Sequence, residues 1–362
     1  MKTLLVTLVA VVVTGCSGTA SSSPTVSASS TPAASTTTAP AGTAGSVTAT
    51  AHRAARGGLA AVVTAEIEHA VLEVSPVTGR VLRRVAVTGD PTTLAAAPTG
   101  PIVACSPAAG TVTLLSWPGL RPVAALHRFR TPEIAAIAPD GEWALVSDAA
   151  GTVSAIRLSS HRIADRVWVG RGAHHMAISP DGRVAWVALG ETAHTIVRLD
   201  ITDPKHLRVA GRVHPRTASH DLAFSPSGKT VWVTSSDAPY VTVYTAATGR
   251  PVASVPAGTA PQHVAFSQSS PARAYVASGY GRSLEMVDIA SGRILHRAAL
   301  PYGSFNLSTA GSIVATTSLL DGKVTILEAG NLRPRLSVTV APEAREIVLL
   351  RTPGPSGWSR AH

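Results

Sequence analysis

A segment of the form small–x–x–apolar–Ala–apolar–Ser–Pro–Asp/Ser–Gly recurs along this 362-residue chain, and its spacing constrains the fold more than any other feature. Clear copies run from Pro132 to Gly141, from Ala173 to Gly182 and from Ser219 to Gly228, and weaker ones begin at Pro91, Pro261 and Tyr302. With a last start near Pro342, successive starts lie 41, 41, 46, 42, 41 and 40 residues apart. A period of that length built from strands specifies a propeller blade.

The unit that starts at Pro261 shows the strands. Val264–Ser267, Ala274–Ser278, Ser283–Asp288 and Ile294–Ala298 are short apolar or alternating runs separated by turn residues. Gly79, Gly249 and Gly292 follow Thr78, Thr248 and Ser291 at the third turn of their units, where a tight β-turn favours a residue with positive φ. Four antiparallel strands per unit, repeated around an axis, make an all-β propeller. Only three strands precede Pro91, near Leu59–Thr64, Ala70–Val74 and Val81–Val87, while Glu346–Leu350 offers one strand after Pro342. Together these complete a seventh blade. The C-terminal strand becomes the innermost strand of the N-terminal blade, which closes the ring and removes an exposed edge.

Three second strands read Ala185-Trp186-Val187-Ala188, Val231-Trp232-Val233-Thr234 and Ala274-Tyr275-Val276-Ala277. With the Ser-Pro-Asp-Gly turn before them, these units resemble the YVTN-type β-propeller repeat of bacterial surface and periplasmic proteins. The aromatic-Val core of that repeat is kept and its final Asn is not. The resemblance covers nearly the whole domain and implies a seven-bladed exported propeller. It leaves the function open, since this architecture hosts lactonases, lyases, electron-transfer partners and binding proteins alike.

The N-terminus addresses the chain to the cell exterior. Met1-Lys2, the apolar stretch Leu4–Val13 and the ending Val13-Thr14-Gly15-Cys16 resemble a lipoprotein signal, with residues 1–15 removed and Cys16 lipidated. Residues 16–55 are dominated by Ser, Thr, Ala, Pro and Gly, a composition that cannot bury enough apolar surface to fold, so they read as a disordered tether. A linker of this kind reaches roughly 30 to 35 Å root-mean-square. The propeller is expected over residues 56–351, with a disordered tail over 352–362. Cys105 is then the only free thiol, so no intramolecular disulfide forms. Aligned with Val187 in a strand, it is expected as a small buried hydrophobe.

Blade topology sorts the polar residues by face. Loops that enter the first strand of each blade share one face with those joining the second and third strands. On that face the repeat places Glu133, His174, His175, His220, Asp221, Gln262 and His263 at equivalent positions of four consecutive blades. Glu66, Glu68, His69, Asp148, Glu191, His194, Asp237 and Asp321 belong to other loops of the same face. Imidazoles and carboxylates converging from several blades suit a divalent metal or a small polar ligand. Equally, such a Pro-His start serves to fix a backbone turn by hydrogen bonding. The opposite face carries an arginine in every blade, at Arg80, Arg121, Arg162, Arg208, Arg250, Arg293 and Arg333, with Arg183, Lys229 and Arg273 beside them. This pattern accounts for much of the net charge of +10 and suits an anionic membrane, an envelope polyanion or another envelope protein.

The chain has no G-x-S-x-G elbow, H-E-x-x-H helix, Walker loop, dinucleotide fingerprint or CxxCH haem motif, so no catalytic residue is assigned. Aromatic residues make up only 4% of the chain, which argues against single-stranded nucleic-acid binding. The sequence is read as a lipid-anchored, monomeric binding or scaffolding propeller on the outer side of the cell membrane, with its ligand at the His/carboxylate rim. The alternative is an extracytoplasmic lactonase-like hydrolase or lyase that uses His175, His220 or His263 with a divalent cation.

Overall fold

The computed structural model describes residues 58–352 except 99, 193 and 268–270. The expected signal sequence, lipidation site Cys16 and tether lie outside the described residues, as does the expected tail beyond Thr352. Among the described residues, 28 strands form seven four-stranded antiparallel sheets. Blade 1 joins β1 (Leu59–Ala65), β2 (Ala70–Val74) and β3 (Val81–Ala86) to the last strand, β28 (Ala344–Arg351). Each of blades 2 to 7 takes four consecutive strands, beginning with β4 (Thr93–Ala96), β8 (Pro132–Ile137), β12 (Ala173–Ile178), β16 (Ser219–Phe224), β20 (His263–Phe266) and β24 (Ser304–Ala310). These first strands touch one another in sequence, and β28 touches both β24 and β4, so the innermost strands form a closed ring. The expected closure is therefore the one observed. Past β28, Thr352 still donates its backbone N–H to the Gly58 carbonyl at 2.8 Å.

Seven apolar clusters hold the ring, one at each junction between adjacent blades. The aromatic residue of the second strand faces across its junction. Trp186 meets Phe224 edge-on at 6.3 Å, Trp232 meets Phe266 at 5.5 Å, and the Tyr275 hydroxyl donates to the Ala329 carbonyl at 2.7 Å. Buried aromatic surface is therefore spent between blades as much as within them. The Ser-Pro-Asp-Gly ending has its own reason. Ser179 is buried and accepts from Val184 N–H at 3.0 Å, while Gly182 takes φ +71°, a conformation that strains an L side chain. Cys105 is fully buried, as expected, and burial pushes its thiol up to about 12. Its register is one residue off the expected alignment. Ala104 faces Leu94 as Val187 faces Met176, so Cys105 matches Ala188.

Five of the seven innermost strands share an irregularity. In β12, Ala173 pairs with Leu189 but Met176 with Val187, so three steps on one strand face two on the other. The same bulge occurs at Pro132/Ala135, Ser219/Leu222, Ser304/Leu307 and between Ala344 and Ile347. A bulge frees backbone groups from the ladder and re-aims the side chains it contains. Hydroxyls on the second strand take up the freed N–H groups. Ile134 donates to Ser147 Oγ at 3.1 Å, Asp221 to Thr234 Oγ1 at 2.8 Å and Glu346 to Thr64 Oγ1 at 2.9 Å. The hydroxyls then donate to the next blade: Ser147 to the His174 carbonyl and Thr234 to the Gln262 carbonyl, both at 2.7 Å, and Thr317 to the Arg345 carbonyl.

This register corrects two of the expected starts. The repeats placed at Tyr302 and Pro342 begin at Ser304 and Ala344, the residues that pair as Ala173 and Ser219 do. Thr234→Val keeps the shape of a side chain that is 1% exposed and strands the Asp221 N–H and the Gln262 carbonyl. We expect a loss of about 1–3 kcal/mol in denaturant unfolding; an unchanged midpoint would show that the hydroxyl bridge does not hold the bulge.

Candidate metal centre

The registers of the first strands define two rings of equivalent positions at one end of the innermost strands. The deeper ring, immediately before the first regular apolar residue, holds Thr93, Ile134, His175, Asp221, His263, Asn306 and Glu346. One position earlier stand Thr92, Glu133, His174, His220, Gln262, Phe305 and Arg345. Because the bulge turns two consecutive residues toward one place, His174 and His175 both reach the site, as do His220 and Asp221.

One ring nitrogen each from His175, His220 and His263 lies within 4.8 Å of the other two. Ring centroids are 4.7 Å apart for His175 and His220, 5.0 Å for His175 and His263, and 5.4 Å for His220 and His263. Asp221 stands between two of them. Its Oδ1 is 3.5 Å from His175 Nδ1, its Oδ2 is 3.4 Å from His263 Nδ1, and Oδ2 also accepts from Val264 N–H at 3.1 Å. His220 Nδ1 faces the Glu191 carbonyl at 3.3 Å. All three Nδ1 atoms thus face acceptors, which favours the tautomer that carries its lone pair on Nε2.

The electrostatics suit neutral imidazoles at His175 and His220. Burial lowers His175 to about 4, and burial with His263 nearby lowers His220 to about 4. Burial opposes charge on His263 too, but the Asp221 carboxylate outweighs it and raises that ring above its ordinary value. Burial also works against the Asp221 charge, yet His263 and His175 hold its carboxyl well below the usual carboxylate range. Glu346 is raised to about 7, first by burial. On the other flank, His174 Nε2 is 3.5 Å from Glu133 and 3.7 Å from Glu191. Burial, with His175 next in effect, lowers His174 to about 3, and burial followed by Glu191 raises Glu133 to about 7.

The expected rim residues therefore separate by role. His175, His220, Asp221 and His263 converge; His174 and Glu133 pair beside them. Gln262 does not join, because its Oε1 is buried accepting from Gly279 N–H at 2.7 Å. Several loop residues prove structural. Asp148 accepts from the N–H groups of Arg130, Thr131 and Ala150, and Asp237 from Ala218 N–H and the Ser235 hydroxyl. Glu66 pairs with Arg345, Glu68 with Arg84 and Asp321 with Lys323, and the ring nitrogens of His69 and His194 face backbone carbonyls. Asn306, Arg345 and Glu346 were missed. Starting their repeats two residues later, on the small residues Ser304 and Ala344, brings all three into the rings.

No family model matches the sequence, and no curated protein matches it. Solved structures share the fold. A functionally unknown protein from Desulfotomaculum acetoxidans DSM 771 is 14% identical with a TM-score of 0.71, covering 81% of this chain and 99% of that one. The apo form of AztD from Citrobacter koseri is 13% identical with a TM-score of 0.64, covering 82% of this chain and 99% of that one. Dihydro-heme d1 dehydrogenase NirN, in complex with DHE, is 17% identical with a TM-score of 0.62 over 78% of this chain and 64% of that one. At these identities the likeness shows the β-propeller alone.

His175 also sets a pH dependence. It sits at about 4 in the folded chain and near 6.5 when unfolded, so between those values the unfolded chain binds a proton that the folded one refuses. Its contribution to stability is intact above 6.5 and is lost as pH falls toward 4. With metal chelated, His175→Gln should lose less stability than wild type between pH 7 and pH 4, by about 3 kcal/mol. Parallel stability curves would contradict the buried, neutral state of this ring.

Proposed function

We propose that this chain is an extracytoplasmic, lipid-anchored binding propeller that takes one divalent transition-metal ion on His175, His220 and His263. The observation that carries the reading is the meeting of one ring nitrogen from each of three histidines within 4.8 Å, with the Nδ1 atoms facing acceptors. Neutral imidazole suits zinc, copper, nickel and iron, whereas magnesium and calcium require oxygen donors. Asp221 acts as a positioning residue. A carboxylate behind two metal-binding imidazoles fixes their tautomer and raises their basicity. Three protein ligands leave at least one coordination position for water or a ligand group. The signal-like residues before Cys16 and the tether support the exported, anchored location.

The enzymatic reading has one observation of its own. Glu133, held near 7, is poised to exchange a proton at neutral pH beside His174. Metal-dependent turnover of a lactone that is lost in Glu133→Gln would favour a hydrolase over a binding protein.

Calorimetric titration of the chelator-stripped chain with zinc tests the main reading. One ion per chain is expected, with His175→Ala, His220→Ala and His263→Ala each abolishing tight binding and Asp221→Asn weakening it about 10- to 100-fold. Absence of stoichiometric binding, or binding untouched by the triple histidine replacement, would overturn the proposal.

A further inference from the structure

The face opposite the metal centre carries a second pattern, independent of it. Arg80, Arg121, Arg162, Arg208, Arg250, Arg293 and Arg333 all lie at the turn between the third and fourth strands of their blades, and all are exposed. Acidic residues of this face are engaged either by turn N–H groups, as Asp140, Asp181 and Asp200 are, or by cations other than these arginines. Asp288 pairs with Arg273 at 2.8 Å, Glu142 with Arg157 at 3.1 Å and Asp203 with His206 at 2.7 Å. Of the seven arginines, Arg333 is paired, with Glu328 at 2.6 Å. Among the described residues, the other six form no ion pair, although Arg208 faces Asp200 across its turn and, after the Thr202 N–H, helps hold that carboxyl below its ordinary range.

Charge is half of the pattern. Two residues beyond Arg121, Arg250 and Arg293 stand Val123, Val252 and Leu295, which are 45%, 59% and 41% exposed. Leu82 follows Arg80 at the same spacing, and Val209 is adjacent to Arg208, both also exposed. A soluble polyanion needs the cations alone, whereas a bilayer surface takes both, holding guanidinium groups at the headgroups and aliphatic side chains just below. The chain also enters the domain here. Gly58 bonds to Thr352, and the adjoining Arg351 donates its N–H to Pro98 in the first turn of blade 2, which lies on this face.

We infer that the arginine face is a docking surface for an anionic phospholipid bilayer, the membrane to which the chain is tethered. Docking there stands the propeller on its base. The metal centre, at the opposite end of the innermost strands, then points away from the membrane into the surrounding space. The face supplies the orientation that a flexible tether by itself cannot, and a lipid chain with a basic patch forms the two-signal combination that stable anchoring requires.

The test uses the mature chain with Cys16→Ser, so that no lipid contributes. Sedimentation with phosphatidylglycerol-rich vesicles should exceed that with phosphatidylcholine vesicles and fall as salt rises. Replacing Arg121, Arg250 and Arg293 by Glu should weaken retention by at least about fivefold per arginine. Glutamine at the same positions gives a gentler version should the reversed charges disturb folding. Orientation is read from an environment-sensitive label, since Cys105 is fully buried and does not react. A label at Arg80→Cys should shift to the blue on vesicles, while one at Tyr280→Cys, on the metal-centre face, should not. Equal retention on neutral vesicles, retention indifferent to salt, binding of a soluble polyphosphate without vesicle binding, or a shift at Tyr280→Cys alone would each overturn the inference.

Discussion

A hydroxyl that holds a bulge open is the interaction on which the rest of this structure depends. An extra residue at the start of an innermost strand leaves backbone groups outside the ladder, and buried groups of that kind cost about 1–3 kcal/mol when unpaired. Thr234 resolves this by accepting from Asp221 N–H and donating to the Gln262 carbonyl of the next blade. Ser147 does the same between Ile134 and His174. Each bridge secures a local distortion and a blade junction together. Without the distortion, alternate residues of the strand would point to opposite sheet faces, and neither His174 with His175 nor His220 with Asp221 could share one site.

The two ends of the ring then acquire different electrostatics on a chain of net charge +10. Cations are spread over the outer turns of one face, exposed and mostly unpaired. At the opposite end, charge is concentrated and compensated, with Asp221 ionised between His175 and His263 and with Glu133 and Glu346 raised toward neutrality by burial. Such a buried polar cluster is costly unless its members satisfy one another. A cation accepted by three imidazoles and balanced by Asp221 would relieve it further.

Much of this was legible in the sequence, and the limits have particular causes. The forty-residue period and the unequal chain ends were sufficient for seven blades and their closure, because strand count per repeat is a local property. The faces followed from topology, which brought His175, His220, Asp221 and His263 to one rim by position alone. What failed was register. Tyr302 and Pro342 imitated the start of a repeat closely enough to shift two blades by two residues, which hid Asn306, Arg345 and Glu346. Roles failed where they depend on rotamers. Gln262 stands at a rim position yet turns to bond Gly279, and Asp148 and Asp237 tie loops, facts that spacing along the chain does not carry. The chemistry of the histidines depends likewise on which nitrogen faces Asp221, a property of the folded ring.

X-ray absorption spectroscopy on the zinc-loaded chain addresses the central claim most directly. The account predicts a nitrogen-dominated first shell near 2.0–2.1 Å with the multiple-scattering signature of three imidazoles, reduced to two in His220→Ala loaded with zinc at concentrations high enough to fill its weakened site. A shell of oxygen donors, or an imidazole count that His220→Ala leaves unchanged, would contradict it.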